Sequence, residues 1–166
     1  TLAWLEEKVG RGVKLIRAMP NTPSMVKEGI TGICGNDLIT VSEFDVVCKL
    51  FNTFSKTEIV SEHLMDVVTA VSGSSPAYVF MFIEAMADAA VEGGMPRSQA
   101  YTFAAQAVLG SAKMVLDTDM HPAQLKDMVC SPGGTTIQAV HVLEDKGMRG
   151  AVMDAMKACL DKARNM

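Results

Sequence analysis

Ser131-Pro132-Gly133-Gly134-Thr135-Thr136-Ile137-Gln138-Ala139 reads as a tight loop that opens a helix. Pro132 fixes one φ angle, and the two glycines accept backbone conformations that other residues resist. Ile137, Val140 and Leu143 then continue at helical spacing. A helix N-terminus carries unpaired N–H groups and a partial positive charge. With no side chains on Gly133 and Gly134, a small anion such as a carboxylate has room to approach. The hydroxyls of Ser131, Thr135 and Thr136 supply directed bonds beside it. The same residues also suit a plain capped helix start after a turn.

Working outward, the C-terminal two thirds read as helices. Pro76 stands at the first turn of a long apolar helix that stops at Gly93-Gly94. Its Val79, Phe80, Phe82, Ile83, Met86 and Val91 leave little polar surface beyond a stripe of Glu84, Asp88 and Glu92. Such a helix is buried on most sides, and a bundle this small does not cover it, so a partner subunit is expected. Pro96 opens the next helix, to about Asp117, rich in small residues that permit close approach. A short helix from Ala123 to Val129 leads into the Ser131 loop, the following helix ends at Lys146-Gly147, and a last helix starts near Met148.

The first third mixes strands and helices. Thr1 caps a helix over Leu2 to Val9, and Val13 to Met19 reads as a strand. Pro20-Asn21-Thr22-Pro23 follows as a rigid loop, the kind of segment that faces ligands at strand ends but also forms ordinary turns. Strands are expected at Ile30 to Cys34 and Thr57 to Val60, with a helix from Glu43 to Phe54 capped by Ser42. This is a strand–strand–helix–strand remnant; a complete dinucleotide-binding sheet would open with a strand and a GxGxxG turn, and no such motif is present here. The chain starts at Thr1, already in a helical pattern, which reads as a chain with something missing upstream.

Composition narrows the function. A length of 166 residues suits one domain or two small ones, and 49% hydrophobic against 20% charged residues describes a folded chain. Few aromatics and thirteen methionines favour packed helices. A net charge of -4 argues against nucleic acid as the main partner. Cys34, Cys48, Cys130 and Cys159 form no CxxC pair, so reduced cysteines in a cytoplasmic protein, with no metal site, are expected. The longest apolar run, Ala77 to Val91, is too short for a bilayer and carries Glu84 and Asp88. Nothing in their spacing promotes His63, His121 or His141 to a proton donor.

Four segments in register carry a resemblance: Met19-Pro20-Asn21-Thr22-Pro23, Ser72-Gly73-Ser74-Ser75-Pro76-Ala77-Tyr78, Gly94-Met95-Pro96, and the run from Pro122 through the Ser131 loop to Leu143-Glu144. Together they resemble pyrroline-5-carboxylate reductase over essentially the whole chain. The resemblance implies a mainly α fold. A small α/β remnant of a Rossmann domain (1–61) precedes an all-helical dimerisation and substrate-binding domain (62–166), similar to the C-terminal domain of 6-phosphogluconate dehydrogenase. It implies an oxidoreductase that uses NADPH or NADH to reduce 1-pyrroline-5-carboxylate to proline, the last step of proline biosynthesis. It also implies a homodimer or multiple of dimers, with the active site where nucleotide and helical domains meet.

By the same resemblance, Gly133, Gly134 and Thr135 offer amides to the substrate carboxylate. Thr136 lies near the ring nitrogen as the catalytic residue, Ser131 shapes the loop, and Asp119 is a further substrate-side residue. Met19, Pro20, Asn21 and Thr22 meet the nicotinamide end of the cofactor, with Ser72, Gly73 and Ser74 shaping the cleft. Because the glycine-rich turn is absent from these 166 residues, they are expected to show no appreciable reductase activity alone. Two other readings remain: a non-enzymatic dimerisation or anion-binding module, and a related imine or keto-acid reductase.

Overall fold

The computed structural model describes residues 1–165. It comprises two compact units. One holds Thr1–Pro76 together with the chain from Ala155 on, and the other holds Ala77–Asp154.

In the first unit, α1 (Leu2–Val9) is capped by Thr1, whose hydroxyl accepts from the Trp4 N–H at 3.2 Å. Three strands follow: β1 (Ile16–Met19), β2 (Gly29–Gly35) and β3 (Ser55–Ile59), in the order β1-β2-β3. β1 runs antiparallel to β2, with Ile16 opposite Gly35, while β3 runs parallel to β2, with Gly29 opposite Ser55. The parallel pair is joined by α2 (Val41–Phe51), as a parallel connection requires. Ile33 and Thr31 on the central strand are fully buried, and the Thr31 and Ser55 hydroxyls pair at 2.6 Å. Leu2, Cys34 and Met65 form the core, with Leu5, Leu15, Met19 and Val60 around it.

Four details differ from the sequence reading. The strand expected from Val13 begins only at Ile16, because Asn36 takes the preceding backbone. Its side chain accepts from the Leu15 N–H at 3.2 Å and donates to the Val13 carbonyl at 2.9 Å. The cap of α2 is Thr40, not Ser42. Thr40 and Glu43 bond each other's backbone N–H reciprocally, a stronger arrangement than one hydroxyl in front of a helix. Phe44, Val47, Cys48 and Phe51, at helical spacing on one face of α2, are half-buried. The loop after β1 tightens into a 3-10 turn over Thr22–Val26. The chain from Glu62 to Gly73, at the start of the part that reads as helical, is broken into a 3-10 turn (Glu62–Leu64), α3 (Met65–Val68) and a π-turn (Thr69–Gly73). Hydroxyls of Thr69, Ser72 and Ser75 each bond a carbonyl four residues back, and the Ser74 N–H reaches five residues back to Thr69. These bonds pull the backbone out of α-helical register.

The second unit is helical: α4 (Ser75–Glu92, from Ala77 on), α5 (Arg97–Thr118), α6 (Pro122–Val129), α7 (Thr135–Asp145) and the start of α8 (Met148–Arg164). Gly94, at φ 93°, turns the chain between α4 and α5. Ala87, Ala100 and Ala104 are buried between these helices, with Ile83, Met86 and Met95 beside them. The small residues of α5 therefore permit close packing, as expected. Other large apolar side chains face outward: Phe80 is 63% exposed, Met81 68%, Phe103 65% and Leu116 70%. The helical stretch Glu62–Glu92 has 31 residues and is long and apolar enough, by length and composition, to cross a membrane. The apolar run from Ala77 to Val91 is too short by itself, and the turns from Glu62 to Ser74 supply the added length. Core helices of globular proteins meet the same criterion.

Candidate functional site

α6 starts with a capping box in which His121 Nδ1 accepts from the Ala123 N–H and Gln124 accepts from the His121 N–H. That gives His121 a structural role. α6 ends at Val129, and Cys130 breaks the helical path at φ −92°. The chain then turns through Ser131–Gly134, closed by the Gly134 N–H donating to the Ser131 carbonyl at 3.0 Å. Gly133 carries the left-handed conformation, at φ 69°.

Gly134 does not: its φ is −75°, which any residue adopts. Its glycine is needed for space instead. A Cβ there would stand 2.4 Å from Ser131 Oγ and 3.1 Å from the Ser131 carbonyl oxygen. The two glycines thus serve different ends, and the expectation that both relax φ is corrected. So is the Gly134 amide as an anion donor, because it is committed to the turn.

What remains is a narrower seat. Gly134 is the N-cap of α7 and brings no side chain to cap it. The amides of Gly133, Thr135 and Thr136 take no protein partner among the described residues. Thr136 is half-buried, whereas Ser131, Gly133 and Thr135 are exposed. Unclaimed amides with partial positive charge, beside a hydroxyl on each threonine, suit a small carboxylate. Asp119 ends α5 in the left-handed conformation, φ 53°, and is exposed. Its observed part is to terminate that helix.

In the first unit, the loop after β1 is fixed from within. Asn21 is half-buried, its carboxamide oxygen accepts from the Ile30 N–H at 2.9 Å, and its amide donates to the Ser72 carbonyl at 3.1 Å. Met19 packs against the π-turn, where a Cβ on Gly73 would come within 2.8 Å of Met19 Cε. Pro20 and Thr22 are exposed. The structure thus joins the Met19–Thr22 loop to Ser72 and Gly73, which were grouped by resemblance alone. The Cys159 thiol reaches Ser74 Oγ at 3.1 Å. Sequence reasoning missed the buried Ser24 hydroxyl, which has no partner among the described residues. Ser24 lies against Gly29 across the turn, a contact that leaves no periodic signal in the sequence.

A separate cavity of about 530 Å³ lies between α6, α7 and α8, floored by Val140, Leu143, Met148 and Val152, with Lys126 and Arg149 at its rim. Both cations are paired, Lys126 with Asp127 at 2.8 Å and Arg149 with Glu144 at 2.7 Å. Among the described residues, no three His, Cys, Asp or Glu side chains gather as a metal site.

Residues 62–166 match the family model for pyrroline-5-carboxylate reductase dimerisation. The chain belongs to the pyrroline-5-carboxylate reductase dimerisation family. It is similar to the pyrroline-5-carboxylate reductase of Escherichia coli (strain K12), with 58% identity over 166 residues, all of this chain and 62% of that protein. The chain thus spans less than two thirds of that relative's length. Among solved structures of this family, a Coxiella burnetii reductase superposes with a TM-score of 0.95 at 36% identity, over 99% of this chain and 62% of that one. A Plasmodium falciparum reductase with NADP bound superposes at 0.90, also at 36% identity, over 99% and 66%. Over the superposed residues, the mainly α fold with a small α/β part is shared with these reductases.

Proposed function

We propose that this chain is the part of a pyrroline-5-carboxylate reductase that binds the imine substrate and builds the dimer. Residues 1–61 are the end of a nucleotide-binding domain and 62–166 the helical domain, a division supported by the family match from residue 62. The observation that carries the substrate reading is the uncapped start of α7, with the free amides of Gly133 and Thr135 and the half-buried Thr136.

The chemistry needed is modest. A reduced nicotinamide nucleotide, NADPH or NADH, supplies a hydride to the imine carbon when bound. The chain's own residues orient the acceptor. Gly133 and Thr135 donate to the carboxylate, Ser131 closes the turn that aims them, and the Thr136 hydroxyl steadies the proton on the ring nitrogen. A protonated imine is the better hydride acceptor, so placement and electrostatics provide most of the effect. Asp119, exposed beside α6, is kept as a secondary substrate-side residue. Met19, Pro20 and Thr22 fit the nicotinamide end, on a loop whose shape Asn21 already sets. The pyrophosphate-binding turn is not among these 166 residues, so they fit that end of the nucleotide only.

The exposed apolar faces of α4 and α5 support a homodimer or a multiple of it. They favour a helical partner over a membrane, given the family match. Four free cysteines suit the cytoplasm. The test is reduction of 1-pyrroline-5-carboxylate with NADPH or NADH by the full-length native protein. Turnover supports the reading. Nucleotide binding without turnover favours another imine or keto acid, and absence of nucleotide binding favours the non-enzymatic module.

A further inference from the structure

Asn21 bonds two segments that are far apart in sequence. Its carboxamide oxygen holds the Ile30 N–H at the start of β2, and its amide nitrogen holds the Ser72 carbonyl in the π-turn. The surrounding packing leaves little slack. A Cβ on Gly29 would stand 2.8 Å from Ser24 Cα, and one on Gly32 would stand 2.8 Å from Val68 Cγ1. The 3-10 turn and α3 thus pack closely on β2, Met19 lies against Gly73 of the π-turn, and Asn21 is the polar tie between β2 and the π-turn.

We propose that Asn21 is a positioning residue: it locks the Met19–Thr22 loop between β2 and the π-turn, and so sets that loop for the nicotinamide nucleotide. This rests on the function proposed above. Asparagine suits the task because one side chain carries both an acceptor and donors. Aspartate keeps the acceptor for Ile30 but sets a carboxylate against the Ser72 carbonyl, and alanine loses both bonds. A loop released by even 1 Å misplaces what it holds, and such errors lower rates by up to about a hundredfold.

The experiment compares N21A and N21D with the unsubstituted full-length protein, by steady-state kinetics, melting temperature and hydrogen exchange at the Ile30 amide. N21A is expected to expose the Ile30 amide to faster exchange. Both variants are expected to raise the KM for the nucleotide about tenfold or more, with the imine KM within about twofold. N21D is expected to keep the Ile30 protection, which separates the Ser72 tie from the Ile30 tie. A nucleotide KM unchanged in both variants, with only the melting temperature lowered, would overturn the positioning role. So would unaltered Ile30 exchange in N21A. If N21A does not fold, N21D carries the kinetic test alone. If the unsubstituted protein reduces no imine, the function proposed above fails. Ile30 exchange in N21A then still decides whether the tie exists.

Discussion

At the residue scale, the Ser131 loop shows how one dipeptide divides its labour. Gly133 is required by its positive φ, while Gly134 leaves room for Ser131, whose Oγ would have to turn away from an added Cβ and whose carbonyl oxygen would stand 3.1 Å from it. The sequence revealed the diglycine but not this division, because conformation and space select the same residue. Gly134→Ala is expected to force Ser131 aside and open the turn, costing about 1–3 kcal/mol of stability and raising the imine KM. Thermal melting and steady-state kinetics check both. Thr136→Ala removes a hydroxyl and little volume. It is expected to lower kcat about a hundredfold or more while the melting temperature stays within a few degrees, since a group positioned for proton transfer contributes on that order. Equal kcat in the variant would remove the role assigned to Thr136.

At the element scale, the helices of the second unit were legible because Pro and Gly punctuate them, at Pro76, Gly94, Pro96 and Gly147. The segment from Glu62 to Gly73 was not. Its apolar periodicity reads as one helix, yet the hydroxyls of Thr69, Ser72 and Ser75 compete for backbone carbonyls and shift the register. The Thr40 cap was missed for a related reason: its partner, Glu43, lies three residues on, and a capping box is a pair and not a single residue. That pair has a pH signature. Lys14 at 2.5 Å and the Thr40 bonds push the Glu43 carboxyl down to about 2, below its unfolded range. A depressed acid stabilises the fold above its unfolded pKa, near 4.5, and loses that contribution as the pH falls toward 2. The native chain is therefore expected to lose stability more steeply across this window than Glu43→Gln. The gap is expected to narrow with salt, because the pair is exposed. Denaturation midpoints at pH 6, 4 and 2 measure it, and parallel curves would contradict it.

At the scale of the whole molecule, the nearly all-round apolar pattern of the helix that Pro76 opens pointed to more covering than one chain supplies. The structure gives this substance in Phe80, Met81, Phe103 and Leu116, all more than half exposed. Burial of such a surface against a second copy is the expected outcome in solution. Light scattering should show dimers or their multiples, and Phe80→Glu with Met81→Glu should shift the population toward monomers. The parallel β2–α2–β3 crossover was readable as a sheet fragment, whereas its antiparallel neighbour β1 was not assigned a direction, because hydrophobic runs carry no strand sense.

The start of α7 carries the proposed substrate seat. Its most direct test is an amide-resolved NMR titration of the full-length protein with L-proline, which would be the product of the proposed reaction and carries the same carboxylate. The Gly133 and Thr135 amide signals are expected to move in step with saturation, while that of Gly134, already bonded to Ser131, moves least. Saturable proline binding that leaves Gly133 and Thr135 unshifted would contradict the account.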